Sequence, residues 1–406
     1  MALDSYVSRT IAWLQFPMAA LVTLMHSPTS PSPVAPVRFI EEFICCGLTR
    51  PLMPAFFLIS GYLFFGTLQN FHPKDYLGKM ARKSRTLLLP YIIWCAIFSI
   101  SLIVYGDIDP GPEPGSLIRL FWAGESSMYT VTPFGYKITD IAYPDGGGHL
   151  WFLRDLIVMM LLTPAIWFFA RLNPKITIPI VSLAALTNAG IPGIGSTSVV
   201  WFTMGAIFGI HRIDFVRFSY RLGACVIIPW LLLGAVFAYM VIEYGWHHVT
   251  YGPKSIMVST LDAYIGVFAY FAIASRCLYH LKKEGRATIS LSEDNAIYRA
   301  NNLNKILLRL APVSFFMYVI HPLPWIDRHI RLTDYLISNP DYKETAAFVS
   351  VAILKLTLIP LLFFAMRRYT PRLLSILTGG RSSRTFQSPE KLLTLQSEKL
   401  TESPNC

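Results

Sequence analysis

The chain contains several windows that are long and apolar enough to cross a lipid bilayer. A membrane-spanning helix needs about 20 mainly apolar residues to cross a hydrocarbon core ~30 Å thick. Residues 86–105 and 222–242 meet that requirement without a single charged side chain. Only 15% of all residues are charged, whereas soluble globular proteins carry about 25%. The sequence therefore predicts an all-α integral membrane protein.

Ten windows qualify as spans, although not all of them equally well. They cover residues 11–26, 45–66, 86–105, 149–170, 176–189, 198–210, 222–242, 258–274, 313–330 and 345–366. The windows 176–189 and 198–210 are the shortest, and they can instead form one re-entrant hairpin that turns at residues 190–195. We expect about ten transmembrane helices, with this pair as the open part of the count.

The basic residues alternate between the two sides of these spans. In the ten-span topology, 25 of the 35 Lys and Arg residues lie on the side of the N-terminus, 8 lie on the other side and 2 lie within spans. Loops rich in Lys and Arg face the cytoplasm, so both termini are predicted to be cytoplasmic. This bias and contact with anionic lipid headgroups account for the net charge of +11, which therefore does not indicate a nucleic-acid partner.

The chain divides into a polytopic membrane domain, residues 1–369, and a polar, Ser-rich tail, residues 370–406. The composition of the tail is typical of disorder, and we expect it to be disordered in the cytoplasm. The longest outer segment, residues 106–148, carries six acidic residues and is large enough to cap a site on the outer face. The six cysteines have no spacing typical of a metal site, so no metal is expected.

Histidines in three of the spans are candidates for proton transfer, since histidine titrates near neutral pH. His26 ends the first span, His149 follows a run of three glycines, and His321 lies in the ninth span, where histidine is rare. His26 can equally be an interfacial histidine that lipid headgroups solvate. The spacing of Ser314, Tyr318 and His321 (i, i+4, i+7) places them in one polar stripe on an otherwise apolar helix.

Charged residues next to these histidines also need an explanation. Arg154 and Asp155 lie one turn after His149, and a charge inside a span costs at least ~2.5–3.5 kcal/mol on insertion scales. The pair can be an internal ion pair or part of a functional site. Arg82 and Arg85 end the first inner loop, where they can anchor the topology or clamp the phosphates of a cytoplasmic cofactor.

Residues 54–63, with the sequence Pro-Ala-Phe-Phe-Leu-Ile-Ser-Gly-Tyr-Leu, resemble the P-x-F-F-x-x-S-G-Y segment of the membrane-bound acyltransferase-3 family. Four further features resemble that family in the same order. They are the histidine that ends the first span, the R-x-x-R after the second, the H-L-W-F-L start of the fourth and the late Y-x-x-H. The resemblance covers residues 5–370, which is everything except the tail.

The family transfers an acyl group, usually acetyl, from cytoplasmic acyl-coenzyme A to a hydroxyl of a cell-envelope glycan or glycolipid. The resemblance implies that His26 is the essential histidine of the first helix and that Arg82 and Arg85 recruit the acyl-CoA (acetyl-CoA) donor. Family members commonly carry an arginine where this chain has Gln15. This departure leaves open a variant donor, compensation by Arg9 or Arg154, or an inactive member.

The sequence thus favours an O-acyltransferase of the bacterial inner membrane that modifies a cell-envelope polysaccharide, oligosaccharide or glycolipid. His26 would accept the proton of the acceptor hydroxyl or carry the acyl group covalently, and these two roles stay open. His149 and His321 are second candidates for proton handling or acceptor orientation. The alternatives are a transporter or flippase for a lipid-linked sugar and a non-catalytic membrane sensor.

Overall fold

The computed structural model describes residues 5–27, 32–67, 72–108, 115–122, 128–131, 137–141, 143–186, 194–245, 253–281, 296–323 and 340–381. The residues outside these ranges include 109–114, 123–127, 132–136 and 142 of the segment 106–148, and 382–406 of the tail. They also include residues 187–193, which contain most of the turn of the suggested re-entrant hairpin.

Most of the described chain is helical. The elements are, in chain order, α1 (Ser5–Met25), α2 (Ala35–Glu42), α3 (Leu52–Phe65), α4 (Pro73–Lys83), α5 (Leu89–Val104), α6 (Gly115–Phe121), β1 (Met128–Val131), β2 (Lys137–Ile141), α7 (Trp151–Leu161), α8 (Thr163–Ala170), α9 (Pro174–Leu186), α10 (Ser196–Ile210), α11 (Phe215–Leu222), α12 (Ala224–Tyr244), α13 (Pro253–Leu278), β3 (Tyr279–Leu281), β4 (Ala296–Tyr298), α14 (Asn302–Leu310), α15 (Val313–Ile320), α16 (Pro340–Tyr369) and α17 (Pro371–Thr378). Two π-helical segments, Phe43–Gly47 and Ser84–Leu88, precede α3 and α5, and a 3-10 turn, Gly148–Leu150, precedes α7.

The prediction of an all-α fold is wrong in one detail, because two short strand pairs are present. β1 pairs with β2 and β3 pairs with β4, both in antiparallel register. Both pairs lie in connections outside the predicted spans. β1 and β2 are rich in Thr, Val and Ile, which favour extended backbone. A search for long apolar windows does not detect short segments of this kind.

Six helices of the described chain are long and apolar enough to cross a membrane, and nine spans result if each bent helix pair counts as one. The bends are 66° between α7 and α8, 105° between α10 and α11, and 59° between α14 and α15. The apolar helix α9 has only 13 residues. The chain is therefore a multi-pass membrane protein, while the count of ten and the orientation of the termini stay predictions.

Helix α1 lies at the centre of this arrangement. It packs against α3, α13, α14, α15, α16 and the π-helical segment before α3. Eleven of its 21 residues are buried, among them Thr10, Met18 and Val22. An apolar helix that is covered on most sides belongs to the interior of a bundle. The end of α1 at Met25 is therefore surrounded by other helices, so a site can form there.

Helices α3 and α10 pack so closely that only glycine fits at two points of their contact. A Cβ on Gly61 would collide with the Phe202 carbonyl, and a Cβ on Gly205 would collide with the Leu58 carbonyl. Small residues allow such close backbone approach between membrane helices. Gly61 of the 54–63 motif is therefore a packing residue.

The predicted disorder of the tail is wrong for its first residues. Helix α17 covers Pro371–Thr378, with Leu374 and Thr378 fully buried. It packs against α5, α15 and α16. The segment 370–406 is polar on average, so its composition did not reveal the short amphipathic helix at its start. The ordered part of the chain extends at least to Arg381.

Candidate active site

The three histidines that the sequence analysis selected lie side by side. The ring centroids of His26 and His321 are 5.1 Å apart, and those of His149 and His321 are 5.4 Å apart. The residues come from the ends of three different elements: α1, the 3-10 turn before α7, and α15. We refer to His26, His149 and His321 as the histidine cluster.

The end of α15 fixes the orientation of His321. The ninth predicted span placed His321 within a continuous helix. In the structure the helix ends at Ile320, and His321 follows it. Pro322 has no N–H and cannot make the helical hydrogen bond to the Tyr318 carbonyl. The Nδ1 atom of His321 lies 2.8 Å from that oxygen. Because a carbonyl only accepts, Nδ1 carries the proton and Nε2 keeps a free lone pair.

The Nε2 atom of His321 is buried without a hydrogen-bond partner among the described residues, and the whole side chain is 0% exposed. Nearly all buried polar atoms in native proteins are paired, so an exception of this kind suggests a functional reason. The Nε2 atom of His321 is therefore available inside the cluster to accept a hydrogen bond or a proton.

A second carbonyl at the end of α15 fixes His149. The N–H of Leu323 bonds to Ile320, which leaves the Val319 carbonyl without its usual helical donor. The Nε2 atom of His149 lies 3.2 Å from the Val319 oxygen, so Nε2 donates and Nδ1 is the proton acceptor. The hydroxyl of Tyr318 donates in turn to the backbone carbonyl of His149. Helix α15 thus holds two of the three imidazoles through its terminal carbonyls.

His26 differs from the other two histidines in its larger accessible surface, although neighbouring protein atoms surround much of its ring. Its ring makes no hydrogen bond to any described residue, and its backbone N–H bonds to Val22 at the end of α1. His26 is therefore the member of the cluster that an incoming substrate can reach. The buried His321 lies directly beside it.

The glycine run before His149 brings this histidine into place. Gly147 has φ +118°, in the region that L side chains rarely adopt. A Cβ on Gly146 would collide with the Leu120 carbonyl, while the N–H of Gly146 bonds to that same oxygen at 3.0 Å. Glycine lets the backbone pass this close to α6. The run is therefore a structural requirement of the turn that positions His149.

Arg154 and Asp155 form an internal ion pair, one of the two alternatives above. Both side chains are almost completely buried, at 1% and 0% exposure, and an Arg154 nitrogen lies 2.5 Å from an Asp155 oxygen. Asp155 also accepts from the Ser198 hydroxyl at 2.6 Å and from the Gly195 N–H at 3.2 Å. Arg154 donates to the Trp122 carbonyl at 2.6 Å. The pair joins α7 to the start of α10 and to the end of α6.

Aromatic rings connect the motifs that are distant in sequence. The ring centroids of Phe57, in the 54–63 motif, and Phe152 are 4.7 Å apart, and those of Phe152 and Tyr318 are 5.7 Å apart. Tyr318 belongs to the polar stripe of α15, whereas the hydroxyl of Ser314 bonds to the Ala311 carbonyl at the bend between α14 and α15. Tyr318 therefore supports the cluster directly, and Ser314 serves the bend.

Sequence reasoning missed one charged residue of the site, Lys355. It lies on the buried face of α16 with 1% exposure, and it is near enough to interact electrostatically with His26 and His321. Helix α16 packs against both α1 and α15. A lysine inside an apolar span costs about as much to bury as Arg154 does, so the same criterion would have selected it.

The expected donor residues lie well away from the cluster. Arg82 and Arg85 are exposed at the end of α4 and in the π-helical segment before α5. Phe98 lies on the same continuous helix as Arg85. Its ring contacts the ring of His149, with centroids 4.6 Å apart. Thirteen residues separate Arg85 from Phe98, or roughly 20 Å of helix. Gln15 is half-buried in α1, and no contact places it with either arginine.

Comparisons with known proteins identify the family of the chain. The family model described as an acyltransferase domain matches residues 13–364. A relative from Rhizobium meliloti, the succinoglycan biosynthesis protein ExoH, is 25% identical over 393 residues, which cover 94% of each chain. No solved structure matches the chain. Since the match includes every helix from the middle of α1 almost to the end of α16, the chain belongs to the acyltransferase domain family and is a membrane acyltransferase.

Proposed function

We propose that this enzyme transfers an acyl group, most simply acetyl, from cytoplasmic acyl-coenzyme A to a hydroxyl of a cell-envelope glycan or glycolipid. It would act in the inner membrane of a bacterium, with both termini in the cytoplasm. The observation that carries the proposal is the histidine cluster, in which one exposed imidazole lies beside two imidazoles of fixed tautomer.

His26 is the proton acceptor in this proposal. The hydroxyl oxygen of the acceptor attacks the thioester carbonyl carbon while His26 takes the hydroxyl proton. The carbon–sulfur bond then breaks, the new ester remains on the glycan, and the coenzyme A sulfur leaves and takes up the proton from His26. General base catalysis of this kind contributes about 10²–10⁴-fold in rate. A covalent acyl-histidine on His26 is the alternative pathway.

His321 and His149 position the reacting groups. The free Nε2 atom of His321 can accept a hydrogen bond from the His26 ring and so fix which His26 nitrogen faces the substrate. Catalytic hydrogen bonds are often longer in a ligand-free structure than in the working complex, which suits the present ring separation of 5.1 Å. Lys355 adds a positive charge near the place where the thioester oxygen becomes negative, and such a charge stabilises the transition state.

The donor would bind from the inner face. Arg82 and Arg85 present two exposed guanidinium groups, which are suited to bidentate contact with phosphates. The roughly 20 Å of helix between Arg85 and the level of His149 suits a donor whose phosphates remain at the cytoplasmic side. The long pantetheine arm would then carry the thioester to the cluster.

The nature of the acceptor is supported by the relative from Rhizobium meliloti. Its name assigns that protein to the biosynthesis of succinoglycan. We infer a glycan acceptor for the present enzyme as well. Bent and broken helices occur in transporters too, but here the bend between α14 and α15 precedes the helix end that holds His149 and His321, and membership of an acyltransferase family favours an enzyme.

Purified membranes test the proposal with radiolabelled acetyl-CoA. Membranes that contain the protein should convert the labelled thioester into a base-labile ester on endogenous glycan, whereas membranes without the protein should not. Equal label incorporation in the two membranes would contradict the proposed reaction.

A further inference from the structure

The π-helical segment that carries Arg85 contains a backbone carbonyl, that of Thr86, which lacks its α-helical donor. In an α-helix, the Thr86 carbonyl would accept the N–H of residue 90. That residue is Pro90, which has no N–H. An unsatisfied backbone group at membrane depth costs several kcal/mol, so such carbonyls find another donor. The partner here comes from the other end of the chain.

Arg381 supplies this donor. Its Nη1 atom lies 2.6 Å from the Thr86 carbonyl oxygen and 2.9 Å from the Thr378 carbonyl oxygen. The guanidinium group also stacks on the ring of Phe315 in α15, with 4.1 Å from Cζ to the ring centroid. A single side chain therefore ties three elements together: the segment Ser84–Leu88, helix α15 and helix α17.

The end of α17 is built for this contact. Gly379 adopts φ +60° and lies so close to Thr86 that a Cβ would collide with the Thr86 backbone. The N–H of Gly380 bonds to the Ser375 carbonyl at 2.7 Å, which is the glycine-dependent way of ending a helix. The indole N–H of Trp94 in α5 donates to the Leu377 carbonyl at 3.0 Å. These contacts place Gly379 and the residues up to Arg381 next to the backbone of Thr86.

We propose that Arg381 is a positioning residue of the donor site. By holding the Thr86 carbonyl, it keeps the π-helical segment in the conformation that presents Arg82 and Arg85 together to the phosphates of coenzyme A. A π-helical segment carries one extra residue per turn and is common at functional sites. The inference rests on the proposed function, because it assumes that these arginines bind the donor.

Coenzyme A binding to the purified full-length enzyme in detergent micelles tests this inference. Arg381→Gln should weaken the affinity about tenfold, as expected for the loss of one charge-assisted hydrogen bond. Arg372→Gln is the matched control, since Arg372 is an exposed arginine of α17, the helix that precedes Arg381, and its loss changes the net charge equally. The control should bind coenzyme A as the wild type does.

A second substitution separates positioning from a general loss of stability. Pro90→Ala gives residue 90 an N–H, which can satisfy the Thr86 carbonyl without Arg381. The double variant Arg381→Gln/Pro90→Ala should therefore regain most of the lost affinity. If Arg381→Gln alone is not monodisperse, Arg381→Lys takes its place and should show a smaller loss that Pro90→Ala again reverses.

The outcomes are distinguishable. The positioning role would be overturned by wild-type affinity in the Arg381 variants, or by a loss that Pro90→Ala does not reverse. In that case Arg82→Lys and Arg85→Lys would still weaken binding, and the donor assignment would stand. If the wild-type enzyme bound no coenzyme A at all, the donor assignment would fail, and the positioning role of Arg381 would fail with it.

Discussion

Removing Asp155 should destabilise the protein far more than removing its partner, Arg154. Both side chains are almost fully buried and share a hydrogen bond of 2.5 Å. Breaking a buried ion pair by deleting one member costs about 3–5 kcal/mol, because the remaining charge is left uncompensated. A guanidinium group cannot lose its proton inside a protein. Asp155→Ala should therefore cost the full amount.

The reverse deletion leaves a carboxyl group that has two further ways to adapt. Asp155 still accepts from Ser198 and Gly195, and a carboxylate in apolar surroundings can bind a proton and become neutral. Arg154→Met also leaves the Trp122 carbonyl without this donor, and it should cost about 1–3 kcal/mol, as for one buried polar group left unpaired. The double variant Arg154→Met/Asp155→Leu should cost less than the sum of the single losses, since no charge remains.

Unfolding by sodium dodecyl sulfate in mixed micelles gives the free energy of unfolding of each variant. The order expected is a large loss for Asp155→Ala, a smaller one for Arg154→Met, and a positive coupling in the double variant. A loss below about 1 kcal/mol for Asp155→Ala would refute the reasoning, given the 3–5 kcal/mol expected. Unchanged stability with abolished acyl transfer would instead assign the pair to catalysis.

Three further predictions follow from the site and the charge distribution. His321→Asn keeps an N–H where Nδ1 lies and loses the acceptor at Nε2, so it should fold normally and lose activity about 10–100-fold; wild-type activity would reduce His321 to a helix cap. Arg82→Lys and Arg85→Lys keep the charge but lose the bidentate fork, so each should weaken coenzyme A binding in a titration, and an unchanged affinity of the double variant would make the pair a topology anchor. In a background without other cysteines, Gly115→Cys should react with a membrane-impermeant thiol reagent in intact cells and Cys406 should not; the opposite labelling would invert the orientation.

The membrane class of the protein could be predicted from sequence because its physical cause is local. Each span must satisfy its own backbone and present apolar side chains to lipid, so a window such as 222–242 reveals itself without its neighbours. The same logic selected His26, His149, Arg154 and Asp155 as polar groups that need a reason. Their spatial arrangement did not follow, because it depends on how the helices pack.

The parts that sequence reasoning missed depend on contacts between distant segments. Lys355 was visible as a charge in an apolar span, but only the packing of α16 against α1 and α15 places it near His26. The ordered helix α17 depends on a surface that α5 and α15 provide. The tautomer of His321 is the exception, because it depends on the adjacent Pro322 and could have been predicted from the local sequence.

The central claim is that His26 accepts the proton of the acceptor hydroxyl, and His26→Gln tests it most directly. Glutamine can hydrogen-bond but cannot take up a proton at neutral pH. With matched protein levels in the membrane, incorporation of label from radiolabelled acetyl-CoA into glycan should fall about 10²–10⁴-fold, while the protein inserts and elutes as the wild type does. Near-normal incorporation by His26→Gln would contradict the claim and transfer the role to His149 or His321.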